Sequence, residues 1–318
     1  MQMAGQRLRE AIRPVGMNYS YNWDGPQGFG FYGTKPQHQS TMDAIIAGAR
    51  TSTLRKPGQL PAGAQRGARL PFTDRQGRRV EVEVVGRRVV DPSMAPELSK
   101  RELWRADWLP WYMNQYGGQG GRMEQLIYRK PDQPTIYAGI GSRDTPDDVR
   151  GVMTRLARMY ESQGHLLRSG GAAGADQAFE AGVQDPRHRS IYLPGQSFQG
   201  RRAGAGGFVD ATRLPTWSEA DQLTNRYHPA PGALKPFMRN LMGRNAMQVL
   251  GPSLGRPADR IIAWAPGGHE GDSPPPGFRE GGTGQALRMG RALGVPIINL
   301  AKPGRMEQAQ KRLQELGF

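Results

Sequence analysis

Between Thr135 and Asp176 short apolar runs alternate with a helical pattern. Ile136-Tyr137-Ala138-Gly139-Ile140 is continuously apolar and breaks into Gly141-Ser142-Arg143. Val149, Val152, Met153, Leu156, Ala157 and Tyr160 then recur near helical spacing. His165-Leu166-Leu167 follows and runs into Ser169-Gly170-Gly171-Ala172-Ala173-Gly174-Ala175-Asp176. Strand, turn, helix, strand and glycine turn in that order predict a βαβ unit of a parallel sheet. Further strands are expected over residues 190–195, 260–265 and 295–300. Helices are expected over 235–250, from 281 onward, and over 306–316. Residues 196–210, rich in glycine and arginine and including Arg201 and Arg202, read as a mobile, exposed loop or a lid. Met238 and Met242 read as core.

The first 130 residues carry a different pattern. Val80-Glu81-Val82-Glu83-Val84-Val85 alternates strictly, as a half-buried strand does, and Gln125-Leu126-Ile127-Tyr128 predicts a closing strand. Residues 40–48 open on a Ser or Thr cap and end at glycine, as a short helix would. A second helix is expected to start at 99. Trp104, Trp108, Trp111 and Tyr112 are expected in or over a core. In residues 1–30, Arg7, Arg9 and Arg13 precede Tyr19, Tyr21, Trp23 and Phe29. This arm either contacts nucleic acid or packs on its own domain or a neighbouring subunit. Arg129-Lys130-Pro131-Asp132-Gln133-Pro134 reads as a hinge. The expected organisation is an arm (1–30), a small β-barrel-rich α+β domain (31–130), a linker (131–134) and an α/β Rossmann-like parallel-sheet domain (135–318).

Both glycine turns of the βαβ unit fall at the carboxyl ends of their strands, where open α/β sheets bind ligands. Glycine there either makes a tight turn only or lets a ligand approach the backbone, with N–H groups at the next helix start attracting anions. Two such turns in succession, each with polar neighbours, favour a phosphate-facing site. Arg143 and Arg244 suit phosphate or carboxylate pairing, because a guanidinium fork matches both. Arg244 could instead form a salt bridge on an exposed helix face. Asp176 could bond a ribose or cap its helix.

Composition narrows the classes. The 318 residues carry 43 Lys and Arg against 28 Asp and Glu, a formal net charge of +15. An excess of that size points to a polyanionic partner without naming it. There is no cysteine, which excludes disulfides, thiolate metal sites and cysteine nucleophiles. His38, His165, His188, His228 and His269 show no metal-ligand spacing on a helix, so no structural zinc is predicted; no other metal and no cofactor is expected. No run is long enough to span a bilayer and the start of the chain has no apolar signal core. A soluble protein is expected, cytoplasmic or phage-associated within a host cell.

Two resemblances sharpen the picture. The order Thr41-Met42-Asp43-Ala44-Ile45-Ile46-Ala47-Gly48, Arg50-Thr51-Ser52-Thr53-Leu54-Arg55, Phe72-Thr73-Asp74 and the strand over 80–85 resembles an ASCH domain, a small β-barrel related to PUA RNA-binding domains. The resemblance implies a cleft for nucleic acid or a modified nucleoside, with Arg50, Thr53 and Arg55 as contacts. Some members are amidohydrolases acting through a Lys, a Thr and a Glu, which would fall on Arg50, Thr53 and Glu102. Arg50 in the lysine position stays protonated and is a poor general base, which favours binding. The second half resembles the SLOG superfamily, which includes the DNA-processing protein A and Lonely-guy families. The matching residues are Gly139-Ile140-Gly141-Ser142-Arg143, Ser169 to Asp176, Arg244-Asn245 and Gly281-Gly282-Thr283-Gly284-Gln285-Ala286. This implies a Rossmann-like fold with a nucleotide or nucleic-acid site at Gly141, Ser142, Arg143, Gly170, Gly171, Asp176, Arg244, Asn245, Gly282, Thr283 and Gly284. Lonely-guy members carry a catalytic Glu pair on the helix where this chain has Gln285-Ala286-Leu287-Arg288. Without it, glycosidic hydrolysis lacks its usual acid.

The leading expectation is therefore a protein that binds single-stranded nucleic acid or a nucleotide-derived ligand through the SLOG-like loops, assisted by the ASCH-like domain. The alternatives are a nucleotide-processing hydrolase, with Asp176 and Glu280 as local carboxylates, and a structural or accessory protein of a larger, phage-related assembly, homo-oligomeric through its arm. No membrane partner is expected.

Overall fold

The computed structural model describes residues 29–31, 45, 52–74, 78–102, 109–272 and 281–318. The chain divides into two compact units, Met1–Gln133 and Pro134–Phe318. Among the described residues no helix is long and apolar enough to cross a membrane.

In the first unit β1 (Phe29–Phe31), β2 (Ser52–Arg55), β3 (Arg69–Asp74), β4 (Arg79–Val90) and β5 (Met123–Arg129) form one sheet in the order β1-β3-β4-β5-β2. All neighbours are antiparallel except β1 with β3. The sheet curls into a half-barrel. The alternation along β4 does what its pattern predicts, with Val82 and Val84 fully buried and Glu81 exposed. A bulge between Val84 and Gly86 bends the strand, so its first half pairs with β3 and its second with β5. One core gathers Phe72, Val82, Val84 and Tyr128. A second lies against α1 (Ala95–Glu102) and α2 (Leu109–Tyr116), through Leu98, Leu109 and Met113.

Two details differ from the sequence reading. Helix α1 starts at Ala95, because Asp91 caps a short turn at Pro92–Met94 that leads straight into it. Trp111 is 52% exposed while Tyr112 is buried, since adjacent helical residues point about 100° apart. Trp104, Trp108, the arm and the expected helix over 40–48 lie outside the described residues, apart from Phe29 and Gly30 in β1 and the buried Ile45.

The second unit opens with β6 (Ile136–Gly141), α3 (Asp147–Ser162), β7 (Leu166–Ser169), α4 (Ala175–Gly182) and β8 (Arg189–Leu193). A hairpin of β9 (Ser197–Phe198) and β10 (Arg201–Arg202) precedes β11 (Phe208–Asp210), α5 (Trp217–Tyr227) and α6 (Pro236–Leu250). Strand β12 (Arg260–Trp264), α7 (Gly282–Ala292), β13 (Ile297–Asn299) and α8 (Arg305–Glu315) complete it. Six strands form a parallel, Rossmann-like sheet in the order β11-β8-β7-β6-β12-β13. The chain steps outward from β6 to β11, then returns to lay β12 on the other side of β6. The switch point is the crevice between β6 and β12.

Both sheet faces are covered, as a continuous apolar strand requires. Along β6, Tyr137 packs with α3 and α4, while Ala138 and Ile140 pack with α5, α6 and α7. Gly139 leaves room for the Phe179 ring, since a Cβ there would stand 2.6 Å from Phe179 Cγ. Phe179 is fully buried, which stabilises the fold by about 2–3 kcal/mol.

The stretch expected to be a mobile loop at 196–210 is instead structured. Arg201 Nε donates to both carboxylate oxygens of Glu180 at 2.8 Å, and β11 extends the parallel sheet. A buried glutamate needs a cation, and the separation of 21 residues hid that pairing in the sequence.

Candidate functional site: a cleft at the switch point

The loops after β6, β7 and β12, the start of α7 and the middle of α6 enclose a cleft of ≈ 390 Å³. That size falls within the roughly 300–1,000 Å³ of small-ligand pockets. It sits at the switch point, outside the carboxyl ends of β6 and β12. Gly141, Ser142, Arg143, Asp176, Arg244, Asn245, Gly282, Thr283 and Gly284 all line it. Gly170 and Gly171 do not. Gln248 and His269, which the sequence reading did not select, do. So does Met238, which is 40% exposed rather than core.

The glycines of the first two loops serve packing before ligand approach. A Cβ on Gly141 would stand 2.5 Å from Ala175 Cβ and 2.7 Å from the Trp264 carbonyl. Gly174 has φ +83°, and a Cβ there would overlap the Ser142 carbonyl. Only glycine lets these loops close on each other. Within the first loop the Asp144 N–H donates to Ser142 Oγ at 3.1 Å, and Thr145 Oγ1 donates to the Ser142 carbonyl at 2.7 Å. Ser142 thus holds the loop's shape, while Arg143 stands exposed with no ion pair or hydrogen bond of its own among the described residues.

Helix α6 is buried along residues 241–250, yet it carries Arg244, Asn245 and Gln248, each 5% exposed or less. Polar groups that deep need partners. Arg244 Nη1 lies 3.4 Å from Asp176 Oδ2, and the same oxygen accepts the Ala172 N–H at 3.3 Å. A well-formed guanidinium–carboxylate bond is nearer 2.7–2.9 Å, so Asp176 neutralises Arg244 without saturating it. Arg244 Nε is buried with no hydrogen-bond partner. Burial pulls the Arg244 guanidinium below its ordinary range, Asp176 opposes that, and the nearby Arg143 charge adds to it. Burial likewise pushes the Asp176 carboxyl up, and Arg244 opposes the shift. Arg244 is therefore not an exposed-face salt bridge, and Asp176 is a counter-ion rather than a helix cap.

Gly170 explains how the guanidinium is seated. A Cβ at 170 would overlap Arg244 Nη1 and come within 2.6 Å of Gln248 Nε2. Both side-chain heads lie over the bare Gly170 backbone. Gly171, at φ +66°, turns the chain beneath Arg201 and Ile191.

Asn245 is engaged in the framework. Its Nδ2 donates to the Gly282 carbonyl and to Gln285 Oε1, both at 3.0 Å. It thereby holds the start of α7 against α6. No side chain caps α7 at Gly281, so its first N–H groups and Thr283 face the cleft with the positive end of the helix dipole.

His269 enters from the loop after β12. That loop is clamped by Asn299, which donates to the His269 carbonyl at 2.7 Å and to the Ala265 carbonyl at 3.2 Å. Burial holds the imidazole below its ordinary value of 6.5, with Asp272 opposing and Arg288 assisting. As pH falls, the unfolded chain takes up this proton first. The stability contribution is complete above 6.5 and is lost as pH falls from there toward the folded-state value. Denaturant melts should show a loss of stability below pH 6.5 that is smaller in His269→Gln. The difference between the two isolates His269 from His228, which burial also lowers. Identical pH profiles in the two proteins would refute the assignment.

In the first unit Thr53 is fully buried on β2, and its Oγ1 accepts from Arg55 Nη1 at 2.6 Å. Arg55 also donates to the Leu54 carbonyl at 2.8 Å. Arg50 and the Glu102 side chain lie outside the described residues, as does Glu280.

No protein-family model and no curated protein matches the chain. A solved structure of DNA processing protein A from Helicobacter pylori, described for its single-stranded DNA binding mode, is similar at 17% identity. The match covers 58% of this chain and 81% of that one, with a TM-score of 0.34, a likeness too slight to bear on function.

Proposed function

We propose that the second unit is a SLOG-type module that holds a nucleotide-derived ligand, or a stretch of single-stranded nucleic acid, by its phosphate in the cleft between β6 and β12. One observation carries this reading. Arg244 is buried at the cleft with its Nε lacking any partner, and the unpaired Arg143 lines the same space. Two guanidiniums this close raise each other's energy, and a phosphate between them relieves both. The uncapped start of α7 adds N–H donors to the same cleft. Asp144 and Asp176 are the carboxylates lining it among the described residues. Asp176 already serves Arg244 and the Ala172 N–H, which suits positioning rather than the activation of water.

Under this proposal residues 31–130 are an ASCH/PUA-like domain, preceded by an arm over 1–30 and joined by a linker over 131–134. Arg50 and Arg55 add contacts to the same class of polyanion, and buried Thr53 sets the Arg55 guanidinium.

The test is a thermal-shift series with nucleotides and short single-stranded oligonucleotides. A ligand at a hundred times its Kd stabilises the native state by about 2.7 kcal/mol. Arg143→Ala should melt like the wild type without ligand, because Arg143 is exposed, and should lose most of the ligand-induced shift. No shift with any of these compounds would remove the proposal.

A further inference from the structure

Gln248 is the unexplained group in the cleft. It is 2% exposed, and its Nε2 is buried without a hydrogen-bond partner. It lies one helical turn beyond Arg244 on α6, so the two side chains share a face. Both heads lie over Gly170, and both line the cleft. Arg244 Nε is the second orphan donor there. A buried donor left unpaired is unfavourable, and here two such donors sit side by side on one helix face beside the cleft.

Donor-bearing residues lining this cleft include Arg143, Arg244, Gln248 and Thr283, together with the N–H groups at the start of α7. An internal phosphodiester offers two free oxygens and one charge. A terminal phosphomonoester offers three free oxygens and a charge of about −1.5 to −2, which matches several donors and two guanidiniums better than a singly charged diester does.

Resting on the function proposed above, we infer that Arg244 and Gln248 form a deep subsite for a terminal phosphomonoester, so the cleft reads a phosphate end rather than a passing backbone. The phosphate comes either from a mononucleotide or from the phosphorylated end of an oligonucleotide. Gln248 is a specificity-determining residue of that subsite.

The experiment measures Kd by calorimetry on the full chain with matched probes: adenosine 5′-monophosphate against adenosine, and a short oligothymidylate bearing a 5′-phosphate, a 3′-phosphate or neither. The wild type should prefer the phosphorylated member of at least one set by about tenfold or more, as charge-assisted bonds to a dianion imply. The set that shows the preference identifies the source. Gln248→Leu should shrink the preference severalfold. Gln248→Glu should abolish it by placing a carboxylate against the dianion. Arg202→Ala, an exposed cation on β10 outside the cleft, should leave it unchanged. Equal affinity for phosphorylated and unphosphorylated probes overturns the inference and leaves the cleft a backbone binder. An unchanged preference in both Gln248 variants also overturns it, and so does an equal loss in Arg202→Ala, which marks bulk charge as the cause. No binding of any probe by the wild type removes both this inference and the function it rests on. Wild-type discrimination is read without any substitution, so a misfolded variant cannot decide the outcome alone.

Discussion

An alanine at position 170 should weaken the ligand binding proposed for the second unit. The new methyl group would occupy the place of Arg244 Nη1 and crowd Gln248 Nε2. The guanidinium is enclosed by the Gly170 backbone, Asp176 and the rest of α6, so it cannot move aside and keep its counter-ion. Overpacking of this kind costs about 1–3 kcal/mol of stability. Losing a charge-assisted bond to the ligand, worth about 1.5–3 kcal/mol, weakens binding by roughly 10- to 100-fold. Gly151 supplies the contrast. It lies exposed inside α3, and a Cβ there meets nothing within 4 Å. Gly151→Ala should stabilise the protein by about 0.5–1 kcal/mol, because glycine is a poor helix former. The same chemical change should thus have opposite signs at two sites, read as Tm, and only Gly170→Ala should alter Kd. Undiminished nucleotide binding in Gly170→Ala would mean that Arg244 does not hold the ligand.

Removing Asp176 should have the largest effect on stability. Asp176→Ala leaves the Arg244 charge buried with no carboxylate near it, and breaking a buried pair on one side costs about 3–5 kcal/mol. The double variant Asp176→Ala with Arg244→Met should recover much of that loss, because no charge then remains to be desolvated. Urea melts of the two single variants and the double measure the coupling. If the double variant is as unstable as the sum of the singles, the pair is not coupled and the 3.4 Å contact carries no energy. Anionic ligands should also raise the Tm of Asp176→Ala more than that of the wild type, since they replace the missing negative charge beside Arg244.

Local pattern was sufficient for the longer strands and most of the helices of the second unit. β6 was visible as an apolar run, α3 as a 3.6-residue period and β4 of the first unit as strict alternation, because each depends on residues within one or two turns of chain. The direction of the sheet followed from the βαβ order, and with it the position of the glycine turns at the strand ends. The short β9, β10 and β11 and helix α5 were not legible. Two- and three-residue strands carry no period, and the Glu180–Arg201 pair that fixes the hairpin is a long-range contact.

Residue types alone marked 139–143, 169–176, 244–245 and 281–284 as stretches where guanidiniums, hydroxyls and bare backbone gather, the ingredients expected of an anion site. What each of these residues does depends on neighbours that the fold brings together. Most of the two first glycine turns went to closing loops on one another, because the space around a missing Cβ is set by chain that is distant in sequence. Asn245 became a strut for α7 and Asp176 a buried counter-ion, because burial turns a free polar group into one that must be paired. Gln248 was overlooked for the same reason. Its spacing from Arg244 was on view in the chain, but its importance comes from having no partner, and that can be known only once every neighbour is in place.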